Sequence, residues 1–158
     1  MSQKGIDTLL AEHAVFAGLP DADIKFIAGC AENVKFDAGE YLFHDGGEAN
    51  HFFLLRYGQV AIQVYAPGKG SLTVATFSQG DIVGWSWLFP PYRWHFDAKA
   101  TDLVRAVSFD GACLRRKTED NPALGHELMK RFARLIVDRL EATQLQLLDL
   151  YADQPASR

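Results

Sequence analysis

Five histidines, two cysteines and one serine flanked by a glycine loop are the side chains with which this chain could make bonds or hold a metal. Their spacing argues against both. His13, His44, His51, His95 and His126 are scattered singly, whereas a catalytic metal needs three or four converging ligands. Ser86, in Gly84-Trp85-Ser86-Trp87, lacks the second glycine of a nucleophile elbow. Cys30 and Cys113 form no CxxC pair, and no histidine is placed by sequence to activate Cys113. No paired carboxylates occur in a glycine-rich loop, and Asp45 and Glu48 read as turn formers. No catalytic residue and no metal ligand is assigned.

Binding chemistry is better represented. The stretch Gly80 to Ala100 (GDIVGWSWLFPPYRWHFDAKA) gathers Trp85, Trp87, Phe89, Tyr92, Trp94 and Phe96, and with them all three tryptophans of the chain. Rings at this density suit a pocket for a planar or apolar ligand, which they can stack against. They equally suit a plug that fills a former cavity, or a protein-binding surface, since Trp, Tyr and Arg dominate interface hot spots. Arg93 and His95 are the polar groups best suited to orient an anionic ligand there; the plainer reading of His95 is a solvent-facing strand residue. The candidate ligand-binding set is Gly84, Trp85, Ser86, Trp87, Arg93, Trp94 and His95.

Short strands and turns must position that loop. Ile6, Leu9, Leu10, His13 and Phe16 fall at helical spacing, and Gly18-Leu19-Pro20 ends that helix. A second short helix carries Ile24, Ile27 and Ala28 inward, with Asp21 or Asp23 as its cap. From Val34 the period turns toward two: Val34 and Phe36, Tyr41 and Phe43, then Phe52 and Leu54, separated by Asp37-Ala38-Gly39 and Asp45-Gly46-Gly47. Val60, Ile62 and Val64 alternate with Ala61 and Gln63. Pro67 to Gly70 turns the chain into an antiparallel partner ending at Phe77, and strands over 96–100 and 103–109 complete the set. Such spacing predicts a mainly β fold, a small antiparallel β-barrel or jelly roll, with short N-terminal helices and a long C-terminal helix. The chain reads as one domain, 1–158, with helices over 1–30, the β-barrel over 34–109, and a hinge and long helix over 110–152.

Asn121 and Pro122 form the N-cap and N1 pair of that last helix. Along it, Met129, Ala133, Ile136, Leu140, Thr143, Leu147 and Leu150 recur at spacings of four and three, a heptad seam. Leu128, Phe132 and Leu135 make a second stripe. Two stripes on one helix predict one for its own β portion and one for a homodimer mate. The piece from Asp110 to Lys117 reads as turn-rich, and Arg115, Arg116 and Lys117 as a solvated helix end.

Composition sets the outer limits. With 158 residues, 48% apolar and 23% charged, the chain is globular and long enough for a core. A net charge of −4 argues against a nucleic-acid groove, which needs dense Lys and Arg. No apolar run approaches the roughly 18 to 20 residues of a membrane span, and the first residues lack the apolar core of a secretory signal. The expected location is the cytoplasm, where the two cysteines read as buried free thiols.

With these elements in place, the chain resembles the cyclic-nucleotide-binding domain of the catabolite-activator (Crp/Fnr) type over residues 8–152. The resemblance rests on VFAGLPDADIKFIAGCAENVKFDAGEYLFHDGGEANHFFLLRYGQVAI and the later GDIVG. Gly39, Gly46, Gly58, Gly80 and Gly84 stand in register with that family's glycines, at turns or close strand approaches. The resemblance implies a regulatory sensor, not an enzyme, with a small-molecule effector and an effector protein as partners. With Asp153 to Arg158 alone after the seam, it implies a stand-alone module without the family's helix-turn-helix.

It also implies a phosphate cassette after Gly84: helix-start N–H groups, a carboxylate for the ribose hydroxyl and an Arg for the cyclic phosphate. This sequence departs at both side chains. Trp85 stands where the carboxylate belongs, and Trp94 where the Arg belongs, with Arg93 one residue away. A cyclic nucleotide is thus expected to bind only weakly, and a non-standard ligand in its place. The alternatives are a ligand-free protein-interaction module using the aromatic loop and, further off, a metal enzyme of the cupin type. The cupin pattern fails because His44 has Gly46 where its second ligand should be.

Overall fold

The computed structural model describes residues 2–152, with side chains from Gly5 onward. Two helices, α1 (Ser2–Glu12) and α2 (Asp21–Ala28), precede β1 (Ala31–Phe36), β2 (Tyr41–Phe43), β3 (His51–Tyr57), β4 (Val60–Ala66), β5 (Gly70–Phe77) and β6 (Ile82–Val83). A single 3-10 turn (Ser86–Leu88) leads to β7 (Asp97–Ala100), β8 (Val104–Asp110), α3 (Gly111–Asp120) and α4 (Pro122–Ala152). The strands form two four-stranded sheets, ordered β1-β8-β3-β6 and β2-β7-β4-β5, with every neighbour pair antiparallel. This is the jelly-roll form of the expected fold: the sheets face each other and no strand ladder joins them into a closed barrel.

Strand β3 shows why the layers stack as they do. Phe52 and Leu54 point to the helices, where they pack with Ile6, Leu10, Phe16, Ile27, Phe109, Leu114 and Phe132. Phe53 and Leu55, on the opposite face, pack with Val60, Ile62, Ala98, Val104 and Ala106 between the sheets. Period-two alternation therefore sends one strand into two cores, and its apolar run is continuous because both faces are covered. Gly58 is fixed by a close approach. Its φ is +88°, and a Cβ there would lie 2.1 Å from the Leu103 carbonyl oxygen.

Several local expectations change. Strand β6 was not anticipated; its two residues pair with Phe53 and Leu54 and are too few to show a period. On β4, Ala61 is buried and Val64 exposed, because β5 pairs along the whole strand but β7 pairs only with Val60 to Gln63, so the far end of β4 projects past β7. Helix α2 starts after Pro20 with no side-chain cap; Asp21 and Asp23 lie inside its first turn, where their charge favours the helix dipole. The piece after β8 is the helix α3, not a turn, started by Asp110, whose carboxylate accepts from the Cys113 N–H at 3.0 Å. Cys30 and Cys113 are disulfide-bonded, with Cα atoms 5.8 Å apart, rather than free thiols. The fold brings the segment after α2 beside the first turn of α3, a proximity that residues 83 apart in sequence do not advertise.

Helix α4 begins as expected, with the Asn121 side chain accepting from the Leu124 N–H at 3.3 Å. Leu124, Leu128 and Phe132 are buried on the helix-side core. Arg131 anchors the same segment: it donates to the carbonyls of Val15 and Ala17 at 2.8 and 2.7 Å and to Glu127 at 2.9 Å. Beyond Leu135 and Ile136, which are half-buried, the apolar residues are uncovered. Leu140, Leu147 and Leu150 are 55%, 51% and 62% exposed, and Met129, Ala133 and Thr143 are exposed as well. No helix among the described residues is long and apolar enough to cross a membrane.

Candidate functional site

The aromatic loop closes one side of a cavity of about 680 Å³, a size suited to a small organic ligand. Its floor is the β4–β5 hairpin, with Ile62, Val74 and Phe77; its other wall is α4, with Ile136, Arg139, Leu140 and Thr143. Of the seven loop residues expected at the site, six line it: Gly84, Trp85, Ser86, Arg93, Trp94 and His95. Trp87 does not. The 3-10 turn rotates it inward, to a position 3% exposed, where it stacks on Phe52 at 4.7 Å and meets Phe132 edge-on at 5.4 Å. Its indole N–H finds no acceptor among the described residues, whereas its carbonyl accepts from Arg115.

The loop is shaped by its glycines and by main-chain bonds. Gly84 takes φ +96° as the chain leaves β6. Trp85 is half-buried and precedes the 3-10 turn, whose Leu88 N–H donates to the Trp85 carbonyl at 3.1 Å. After the cis Pro90–Pro91 bond, Tyr92 adopts φ 56°, alone among the described non-glycine residues. Its ring lies under the Arg115 guanidinium, 4.1 Å away. The expectation of a solvated basic helix end therefore fails for two residues of three. Arg115 ties α3 to the loop, and Lys117 ties α3 to α2 through the Phe26 carbonyl and ring.

Trp94 is the most constrained residue of the loop. It is 5% exposed and stacks on Phe43 with centroids 3.8 Å apart and planes 10° from parallel. Its main-chain N–H donates to the Gly47 carbonyl at 3.0 Å and its carbonyl accepts from the Gly46 N–H at 2.8 Å. Together Phe43 and Trp94 separate the large cavity from a hollow of about 280 Å³ that His44, Glu48 and His51 line. The question of an open or plugged site thus has a divided answer. Trp94 fills its own corner, and the space beside it remains open.

Electrostatically the cavity is one-sided. Among the described residues no Asp or Glu lies on its wall, while Arg93, Arg139 and His95 do. Arg93 is exposed and approaches the Gly46 carbonyl at 3.4 Å; Arg139 lies 4.0 Å over the Phe77 ring. No group of three His, Cys, Asp or Glu side chains that could hold a metal ion occurs among the described residues. Arg115 and Arg139 are the contributors that sequence reasoning missed. Both lie on helices whose faces toward the loop follow from the fold, not from a local motif.

Residues 33–121 match the family described as the cyclic nucleotide-binding domain. A CRP-like cAMP-activated global transcriptional regulator of Mycobacterium tuberculosis (strain CDC 1551 / Oshkosh) is 28% identical over 151 residues, covering 95% of this chain and 66% of the relative. The chain thus spans just under two thirds of the curated relatives it matches. A solved structure from Geobacter metallireducens GS-15, assigned as a cyclic nucleotide-binding protein, is 31% identical. It superposes with a TM-score of 0.75 over 89% of this chain and 98% of its own. A cyclic nucleotide-binding domain from Methylobacillus flagellatus KT, 15% identical, shares the fold at a TM-score of 0.78 over 98% of this chain and 85% of its own.

Proposed function

This chain belongs to the cyclic nucleotide-binding domain family, and from that premise we propose that it is a non-enzymatic regulatory sensor with a degenerate phosphate cassette. One observation carries the reading: a cavity of ligand size with no carboxylate on its wall among the described residues, lined by Trp85 and Trp94 at the positions where the resemblance puts the ribose acceptor and the phosphate arginine. A cyclic phosphate buried there would lack its charge-assisted fork, and the ribose diol its acceptor. Each missing partner of this kind costs on the order of 2–5 kcal/mol. Cyclic AMP and cyclic GMP bind weakly, and a ligand of another kind is the effector.

The signal route runs through Arg115 and α4. A ligand that moves the loop pulls on the Trp87 carbonyl and the Tyr92 ring, both held by α3, and presses directly on Ile136, Arg139 and Leu140. The stretch from Gly111 to Asn121 is the hinge through which α4 shifts. Its exposed seam, Met129 to Leu150, carries the change to a second copy in a homodimer or to an effector protein. The site of action is the cytoplasm, a reading that the likeness to a global transcriptional regulator supports.

The rival reading, a ligand-free interaction module, draws support from Phe89 and Phe96, which are 51% and 45% exposed on the loop. Titration with cyclic AMP and cyclic GMP, followed by intrinsic tryptophan fluorescence, tests the cassette. Half-saturation in the millimolar range or beyond is expected; saturation at micromolar nucleotide overturns the degenerate-cassette reading.

A further inference from the structure

Arg139 is the least explained charge in the molecule. Among the described residues three arginines are half-buried: Arg115, Arg131 and Arg139. Arg115 donates to the Trp87 carbonyl, and Arg131 to two carbonyls and the Glu127 carboxylate. The Arg139 side chain has no hydrogen-bond acceptor and no acidic partner among the described residues. Its Cζ lies 4.0 Å from the centroid of the Phe77 ring, a cation–π contact that does not use its N–H donors. A guanidinium placed over a ring at an apolar wall, with its donors unspent, suits a carboxylate, sulfonate or phosphate. The cavity it faces has aromatic side chains and no competing carboxylate.

We propose that the cavity takes a flat aromatic anion, its ring system against Trp85 and the loop phenylalanines and its acidic group on Arg139. The anion site has then moved from the loop to α4. This rests on the reading of the cavity as a ligand site and adds the chemical class of the ligand. A ligand anchored on Arg139 grips the helix that carries the seam, so recognition and output share one residue's backbone. Arg93, exposed at the loop, adds positive potential beside the cavity and does not replace the contact with Arg139.

Two dyes with nearly the same ring system, one with a sulfonate and one without, separate charge from hydrophobicity. 8-Anilinonaphthalene-1-sulfonate and N-phenyl-1-naphthylamine are titrated against the full chain, reading dye emission and energy transfer from tryptophan. The sulfonate dye is expected to bind at one site per chain at least tenfold tighter than the neutral dye. Arg139→Gln is expected to remove that preference, weakening the sulfonate at least tenfold and the neutral dye less than twofold; Arg139→Lys should restore part of it. Thermal melts check that both variants fold. A double variant, Leu145→Gln with Leu148→Gln, controls for dye on the exposed end of α4 and should leave the single site intact.

Equal loss of both dyes in Arg139→Gln, or no preference in the parent protein, overturns the anion assignment while the cavity remains a ligand site. Loss of the site in the leucine variant overturns it too, by moving the dye to the helix. If neither dye saturates with energy transfer, the reading of the cavity as a ligand site fails along with the inference.

Discussion

Replacing Gly84 by alanine tests how tightly the indole at position 94 is held. The backbone at Gly84 has φ +96°, a region that an L-residue enters at about 1–2 kcal/mol. The new Cβ would lie 2.7 Å from Cη2 and 3.0 Å from Cζ3 of Trp94. That ring cannot slide away cheaply, because it is 5% exposed and stacked on Phe43 at 3.8 Å. Forcing atoms into a packed site of this kind adds about 1–3 kcal/mol. Gly84→Ala should therefore cost about 2–5 kcal/mol, read as a shift in the urea midpoint followed by circular dichroism. Trp94→Leu, which costs about 3 kcal/mol by itself for the lost ring, removes the atoms in the way. In that background Gly84→Ala should cost only the backbone share, leaving a coupling of about 1–3 kcal/mol in the double-mutant cycle. Additivity within about 0.5 kcal/mol would mean that the indole and Gly84 do not meet as described.

Three further outcomes follow from the same geometry. Arg131→Ala removes three charge-assisted bonds, two from α4 to the Val15 and Ala17 carbonyls and one to Glu127 within α4, and should lower stability by about 2–3 kcal/mol. The Arg131 hydrogen bond holds the Glu127 carboxyl below the usual range, so its contribution is present above the unfolded glutamate pKa and fades as pH falls through the lowered value. The destabilisation by Arg131→Ala should accordingly shrink at strongly acidic pH; a difference that grows there would contradict this. Reducing the Cys30–Cys113 disulfide opens a loop of 83 residues and should cost about 4–5 kcal/mol by loop entropy; two free thiols in the denatured, unreduced protein would show that the bond is absent. Sedimentation should find a dimer at micromolar concentration and a monomer for Leu147→Glu with Leu150→Glu, and a parent protein that stays monomeric at high micromolar concentration removes the seam from the account.

The scaffold was legible because its signals are local. Glycines 39, 46, 58, 80 and 84 mark turns, and all five have positive φ; the alternation of Val34 and Phe36 falls in the second half of β1, which begins three residues earlier, and the Asn121-Pro122 pair falls where α4 begins. What could not be read depends on the approach of distant segments. Cys30 meets Cys113 only after α3 folds against the end of α2. Trp85 and Trp87 look alike in sequence, yet one turn of 3-10 helix sends the first to the cavity and the second to the core. Ile136, Leu140 and Thr143 read as seam, and they also wall the cavity, a double duty that a heptad pattern does not record. Arg115 and Arg139 carried no motif at all; their partners, Trp87, Tyr92 and Phe77, lie on other elements.

Calorimetric titration of cyclic AMP into the parent protein and into Trp85→Glu with Trp94→Arg bears most directly on the nucleotide site. The account predicts no saturation below the millimolar range in the parent. The folded double variant, regaining an acceptor and a guanidinium each worth on the order of 2–5 kcal/mol, should bind at least a hundredfold tighter, at about 1.4 kcal/mol per factor of ten. Stoichiometric micromolar binding by the parent, or a folded double variant with no gain, would contradict it.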